Sequence, residues 1–168
     1  MTQLEGVIFR ELKKHHDTRG WLVELFRTDE IDESNDPVMA YMSQTQPNVV
    51  RGPHEHMGQS DYFVFVGPGD FDLFLWDRRP YLNLEPSELP EFLEPEIHMV
   101  GESNPVSVIV PPGVIHGYKN ITEQPGLVFN APNRLYAGCG KKHIVDEIRY
   151  EETMTEDFRI PLRLIQGG

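Results

Sequence analysis

Turn-forming residues are spread so evenly along this chain that only short elements fit between them. Its 168 residues include 14 Gly and 14 Pro. Breaks such as GPGD and PPG leave apolar and polar residues alternating with period two, the spacing of a half-buried strand. Residues 6–12 and 21–27 alternate this way, and residues 38–44, 62–66, 71–76, 96–100, 106–110 and 126–131 have strand character between turn signals. The polar run TDEIDESNDP reads as a loop or short helical turn. The Pro- and Glu-rich stretch at 80–95 reads as an irregular excursion. The tail beyond His143 is expected to be a short helical or irregular segment. With no repeat and no break in composition, residues 1–168 are expected to form one all-β domain, a two-sheet jelly roll or small barrel.

Charge and cysteine usage narrow the function. Asp and Glu number 27 against 15 Lys and Arg, a formal charge of −12. A surface this acidic repels phosphate backbones, so nucleic acid is not an expected partner. A few aimed arginines still suit one small anionic ligand. No apolar run is long enough to span a bilayer, and MTQLEGVIFRE lacks the apolar core of a signal peptide. Cys139, the one cysteine, rules out an internal disulfide framework, so a cytoplasmic protein is expected.

Two segments carry chemistry. In RGPHEHMGQSD, His54 and His56 are separated by one residue, so on a strand both side chains point to one face. In PPGVIHGYKN, Pro and Gly set a tight turn and His116 opens the strand that follows. Strands with inward histidines are expected to gather the three imidazoles in one cavity. Asp61 would complete a set of three nitrogens and one carboxylate, a common first shell for zinc, iron, nickel or manganese. The same histidines also suit acid–base work, since imidazole needs little tuning to act near neutral pH.

These segments resemble the cupin superfamily. His54, His56 and Asp61 match its first motif, with Asp where Glu is usual. Pro111, Gly113, His116 and Asn120 match its second motif. Four stretches resemble, more narrowly, the dTDP-4-dehydrorhamnose 3,5-epimerase family of deoxysugar-nucleotide epimerases. They are DTRGWLVELFR, NVVRGPHEH, FDLFLWDRRP and VPPGVIHGYKN, in the family's order. The resemblance implies a jelly-roll epimerase or isomerase of a 4-keto-6-deoxyhexose nucleotide that needs no metal. Such an enzyme removes a proton beside the ketone, stabilises the enolate and returns a proton.

By resemblance His54 is the catalytic base, Arg19 and Arg51 contact the diphosphate or sugar, and His116 and Tyr118 contact the substrate. The resembled enzymes also pair through their sheets, so a homodimer is expected. The family's acidic tyrosine falls on Phe129, which cannot donate a proton, and its lysine has no clear counterpart near Asp61 and Tyr62. Tyr62, Tyr118 and Tyr136 are alternative phenols, and Asp146 and Asp157 are candidates for the carboxylate behind the base. Two other readings use the same residues. One is a metal-dependent cupin, a dioxygenase or small-sugar isomerase, holding a divalent transition metal on His54, His56, Asp61 and His116. The other is a non-catalytic cupin that binds the sugar nucleotide without turnover.

Overall fold

A computed structural model describes residues 2–85 and 87–162. Fourteen short strands follow one another among them: β1 (Ile8–Glu11), β2 (His15–Asp17), β3 (Gly20–Leu22), β4 (Tyr41–Thr45), β5 (Val50–Glu55), β6 (Asp61–Phe65), β7 (Asp70–Asp77), β8 (Phe92–Leu93), β9 (Glu96–Gly101), β10 (Val106–Val110), β11 (Val114–Asn120), β12 (Gly126–Asn130), β13 (Ile148–Arg149) and β14 (Ile160–Pro161). Helical structure is limited to short 3-10 turns, one of them at Glu33–Asn35 inside the polar run. No helix among the described residues is long and apolar enough to cross a membrane.

Ten of the strands assemble into two antiparallel five-stranded sheets, ordered β1-β10-β6-β12-β4 and β13-β5-β11-β7-β9, and the other four form the pairs β14-β8 and β2-β3. Their facing surfaces supply a core that includes Phe63, Phe65, Phe71, Leu73, Leu75, Val108, Tyr118 and Val128. This is a jelly roll, the all-β class expected from the alternation. The outer faces are covered as well. Phe74, Trp76 and Ile115 pack against Tyr150, Ile160 and Leu162 of the tail. Tyr62, Val64 and Ile109 pack against Val23, Leu25 and Phe129.

Two expectations need revision. The strand expected over residues 21–27 ends at Leu22. Val23 and Leu25 instead press on the outside of the first sheet, so their alternation records one buried face without a hydrogen-bonded partner strand. HHDTRG, which lies between the first two expected strands, forms with Trp21 and Leu22 the exposed hairpin β2–β3. The tail is irregular, its only regular pieces among the described residues being β13 and β14.

Candidate functional site

Period two decides what enters the barrel. On β5, His54 faces inward and Glu55 outward, and His56 just beyond the strand end returns to the inner side. On β6, Asp61, Phe63 and Phe65 point inward together. On β11, His116 and Tyr118 do so. The register pairs His116 with His54, so the two motifs meet side by side with ring centroids 4.4 Å apart. Gly52 makes the approach possible. Its φ is +79°, and a Cβ there would lie 2.8 Å from the His116 carbonyl oxygen and 3.2 Å from His54 Nδ1. Phe63, Phe65, Phe71 and Tyr118 form an edge-to-face aromatic floor beneath the polar groups.

Asp61 is the hub, with 1% of its surface exposed. Its Oδ1 accepts from Gln59 Nε2 (2.9 Å) and Asn130 Nδ2 (3.0 Å). Its Oδ2 lies 3.0 Å from His116 Nε2 and 3.2 Å from His56 Nε2. Burial alone would raise its pKa, but the bonds to His116 and His56 hold the carboxyl well below the usual carboxylate range. Burial likewise opposes the charge on His56, yet the hydrogen bond to Asp61 raises its pKa. His54 goes the other way. Burial first, then the neighbouring His116, pushes it down to about 2, so it stays neutral.

The donor set fits a divalent metal. One ligand atom each from His54, His56, Asp61 and His116 lie within 4.8 Å of one another. His116 Nδ1 donates to the Val114 carbonyl (3.0 Å), and His56 Nδ1 donates to the Asp146 carbonyl. Both rings therefore turn Nε2 toward Asp61. A ring nitrogen tied to a backbone carbonyl with the other left for an ion is the usual support of a metal-binding histidine.

Above these groups lies a cavity of about 820 Å³, lined among others by Tyr41, His54, His56, Gln59, Arg134 and Tyr136. That volume lies within the range of small-molecule pockets. Glu147 Oε1 stands 4.0 Å from His54 Nδ1, within Coulombic but not hydrogen-bond reach. Glu147, and neither Asp146 nor Asp157, is thus the carboxylate that stands behind the His54 ring. Asp146 instead accepts from the N–H groups of Met57, Gly58 and Gln59 at 2.8, 2.9 and 3.0 Å. Asp157 bonds Thr155 and Arg159 in the tail. No sequence spacing pointed to Glu147, Arg134 or Tyr41, which come from a late loop and an edge strand.

The other expected residues are not among those lining the cavity. Arg19 sits at the tip of the β2–β3 hairpin, its side chain 88% exposed, paired with Asp17 at 2.5 Å. Arg51 donates to Thr45 Oγ1 (2.9 Å) and the Gln44 carbonyl (2.7 Å). Tyr118 shares a 2.8 Å hydrogen bond with Ser43 deep in the barrel, and His116 is buried on Asp61. Tyr62 faces the outer side, where its hydroxyl contacts the Leu25 carbonyl and Ser107. Phe129 also faces outward, in the cluster with Tyr62 and Val64. The inward residue beside it is Asn130.

Residues 1–146 match the family model described as dTDP-4-dehydrorhamnose 3,5-epimerase. The chain is 36% identical over 137 residues to the "Probable low-salt glycan biosynthesis epimerase Agl13" of Haloferax volcanii, covering 81% of this chain and 83% of that one. Among solved structures, the dTDP sugar isomerase of Desulfovibrio desulfuricans G20 superposes with a TM-score of 0.67 at 22% identity, over 86% of this chain and 83% of the other. QdtA, a sugar 3,4-ketoisomerase from Thermoanaerobacterium thermosaccharolyticum solved in complex with TDP, gives 0.62 at 18% identity, over 89% and 92%. At these identities both structures speak to the fold alone.

Proposed function

Because this chain belongs to the dTDP-4-dehydrorhamnose 3,5-epimerase family, we propose that it is an epimerase or isomerase acting on a 4-keto-6-deoxyhexose nucleotide, with His54 as the base that removes the proton beside the ketone. The observation that carries this reading is His54 itself. It is a buried, neutral imidazole on the wall of a sugar-sized cavity, with a carboxylate behind its Nδ1. A neutral ring offers a lone pair to the proton, and the Asp61 carboxylate favours the imidazolium against the burial that opposes it. The C–H electron pair moves to the ketone oxygen as the proton reaches His54. Arg134 lines the same cavity and has no acidic partner among the described residues, so it suits the phosphates of the nucleotide.

Arg19 belongs to this reading through a homodimer. The hairpin that carries it leaves Trp21 and Leu22 exposed, and pairing of two copies would cover them and bring Arg19 to a neighbouring cavity. A single exposed thiol at Cys139 suits a reducing compartment, so a cytoplasmic site of action is part of the proposal.

The test is proton exchange. His54→Asn should abolish deuterium incorporation from heavy water into a 4-keto-6-deoxy sugar nucleotide while circular dichroism stays unchanged. Full exchange in that folded variant sinks the assignment.

A second reading is favoured by the arrangement around Asp61. His54, His56, Asp61 and His116 would hold a divalent transition metal, which when bound would polarise a carbonyl oxygen as a Lewis acid. In that reading His54 is a ligand, and the chemistry belongs to a metal-dependent isomerase or oxygenase.

A further inference from the structure

We propose that Tyr41 is the general acid of this site, returning a proton to the sugar carbon on the face opposite His54. The proposal rests on the epimerase reading above and assigns its second proton. Inversion beside a ketone needs two groups on two sides of the ring. The base breaks the C–H bond and takes the proton, and the electron pair passes to the ketone oxygen. When the ketone re-forms, the pair returns to carbon, which takes a hydrogen from the opposite face. The donor is left as a phenolate, and the proton held on His54 reaches it through solvent before the next turnover.

The fold supplies the two sides. Tyr41 opens β4, the edge of one sheet, and His54 lies on β5 of the other. Both line the same cavity. A sugar ring held between the sheets meets them from opposite walls.

Hydrogen-bond directions supply the proton. Asn130 Oδ1 accepts from the Tyr62 N–H at 3.1 Å, which fixes which end of the amide is which. Its two N–H hydrogens then go to Asp61 Oδ1 (3.0 Å) and to the Tyr41 hydroxyl oxygen (2.9 Å). Tyr41 is the acceptor in that bond, so its own hydrogen is not committed to Asn130, and no acceptor for it is found among the described residues. Tyr41 lines the cavity and keeps 46% of its surface exposed. Burial of the hydroxyl and the nearby Asp61 carboxylate push its pKa up to about 12, so the hydrogen is retained at neutral pH.

The other phenols lack this combination. Tyr62 is on the wrong face of its sheet, and Tyr118 is engaged with Ser43. Tyr136 does line the cavity, but it stands on the loop after Pro132, with no side-chain hydrogen bond among the described residues to aim its hydroxyl.

The experiment follows two events separately by NMR in heavy water, using nucleotide-linked 4-keto-6-deoxyhexoses. One is deuterium uptake with retained configuration and the other is inversion. Wild type performs both. Tyr41→Phe should lose inversion by roughly 100-fold or more, the usual weight of a general acid, with uptake at retained configuration continuing and KM little changed. A fluorotyrosine placed at position 41 keeps the hydroxyl but lowers its pKa. It should shift the basic limb of the inversion rate to lower pH, a readout that survives if the Phe variant folds poorly. Inversion at the wild-type rate in folded Tyr41→Phe overturns the proposal. So does inversion that is lost in Tyr136→Phe and kept in Tyr41→Phe. A wild type that neither exchanges nor inverts any of these sugars overturns the epimerase reading, and this proposal with it.

Discussion

Replacing Arg78 by Met should cost this protein more stability than any nearby surface change, because of the carboxylate left behind. Glu55 lies between the two motif histidines on β5 and is 0% exposed, facing away from them. Its Oε1 accepts from Arg78 Nε at 2.6 Å and from the Tyr150 hydroxyl. Its Oε2 has no partner. Without Arg78 the buried charge keeps a single neutral donor. Removing one member of a buried ion pair costs about 3–5 kcal/mol. For a domain of this size that corresponds to a drop in Tm of roughly 10 °C.

The damage should reach the site. Tyr150 donates its N–H to the Pro53 carbonyl at 2.9 Å, and β13 pairs Arg149 with His54 and Ile148 with Glu55. Glu147, behind His54, precedes that strand. Urea unfolding followed by tryptophan fluorescence reads the loss, since Trp76 is buried beside this cluster. The control is Glu55→Gln combined with Arg78→Met, which removes both charges. It should recover about half or more of the loss, because the cost lies in the unpaired charge rather than in lost packing. A single Arg78→Met within about 1 kcal/mol of wild type would refute the reasoning, as would a double variant no more stable than the single one.

Three further outcomes follow from the same structure. Asp146→Ala should lose about 1–2 kcal/mol at pH 7, a value discounted for partial exposure. Partial burial opposes it, but the N–H groups of Met57 and Gly58, then the nearby His56, lower the pKa of Asp146. Its contribution is therefore present above the unfolded value near 3.9 and lost as pH falls through the lower folded value, so the two unfolding curves should converge below about pH 4. Light scattering at micromolar concentration should give a dimer for wild type and a monomer for Trp21→Asp with Leu22→Asp. A wild-type monomer removes the role given to Arg19. Elemental analysis of protein made without chelator or nickel resin tests the metal reading. Near-stoichiometric metal, lost with activity when any of the three histidines is replaced, would displace His54 as a free base.

Much of the fold was legible because alternation reports burial directly. The spacing of His54 and His56 put both on one face, and the turn before His116 set it on a strand that the register brings against His54. Alternation fails where both faces of a strand are covered. In GLVFNA, Val128 packs in the barrel and Phe129 in the outer cluster, so apolar character cannot say which parity is inward. Phe129, the position given to the family's tyrosine, lies in that outer cluster, and its neighbour Asn130 reaches Asp61. Tyr41, Glu147 and Arg134 were illegible for another reason. Each reaches the cavity through tertiary placement of an edge strand or a loop, and no local pattern encodes that.

The proposal of His54 rather than Asp61 as base rests on what each group already holds. Asp61 has four partners for its oxygens, Gln59, Asn130, His56 and His116, and is almost fully buried. Taking a proton would break that set, and those bonds are what keep its pKa low. The His54 ring makes no hydrogen bond among the described residues and lies on the cavity wall. The aromatic floor below both groups excludes water and strengthens every charge interaction above it. One environment therefore holds a carboxylate ionised and an adjacent imidazole neutral. The anion orders the histidines, and the neutral ring is the one free to take a proton from carbon.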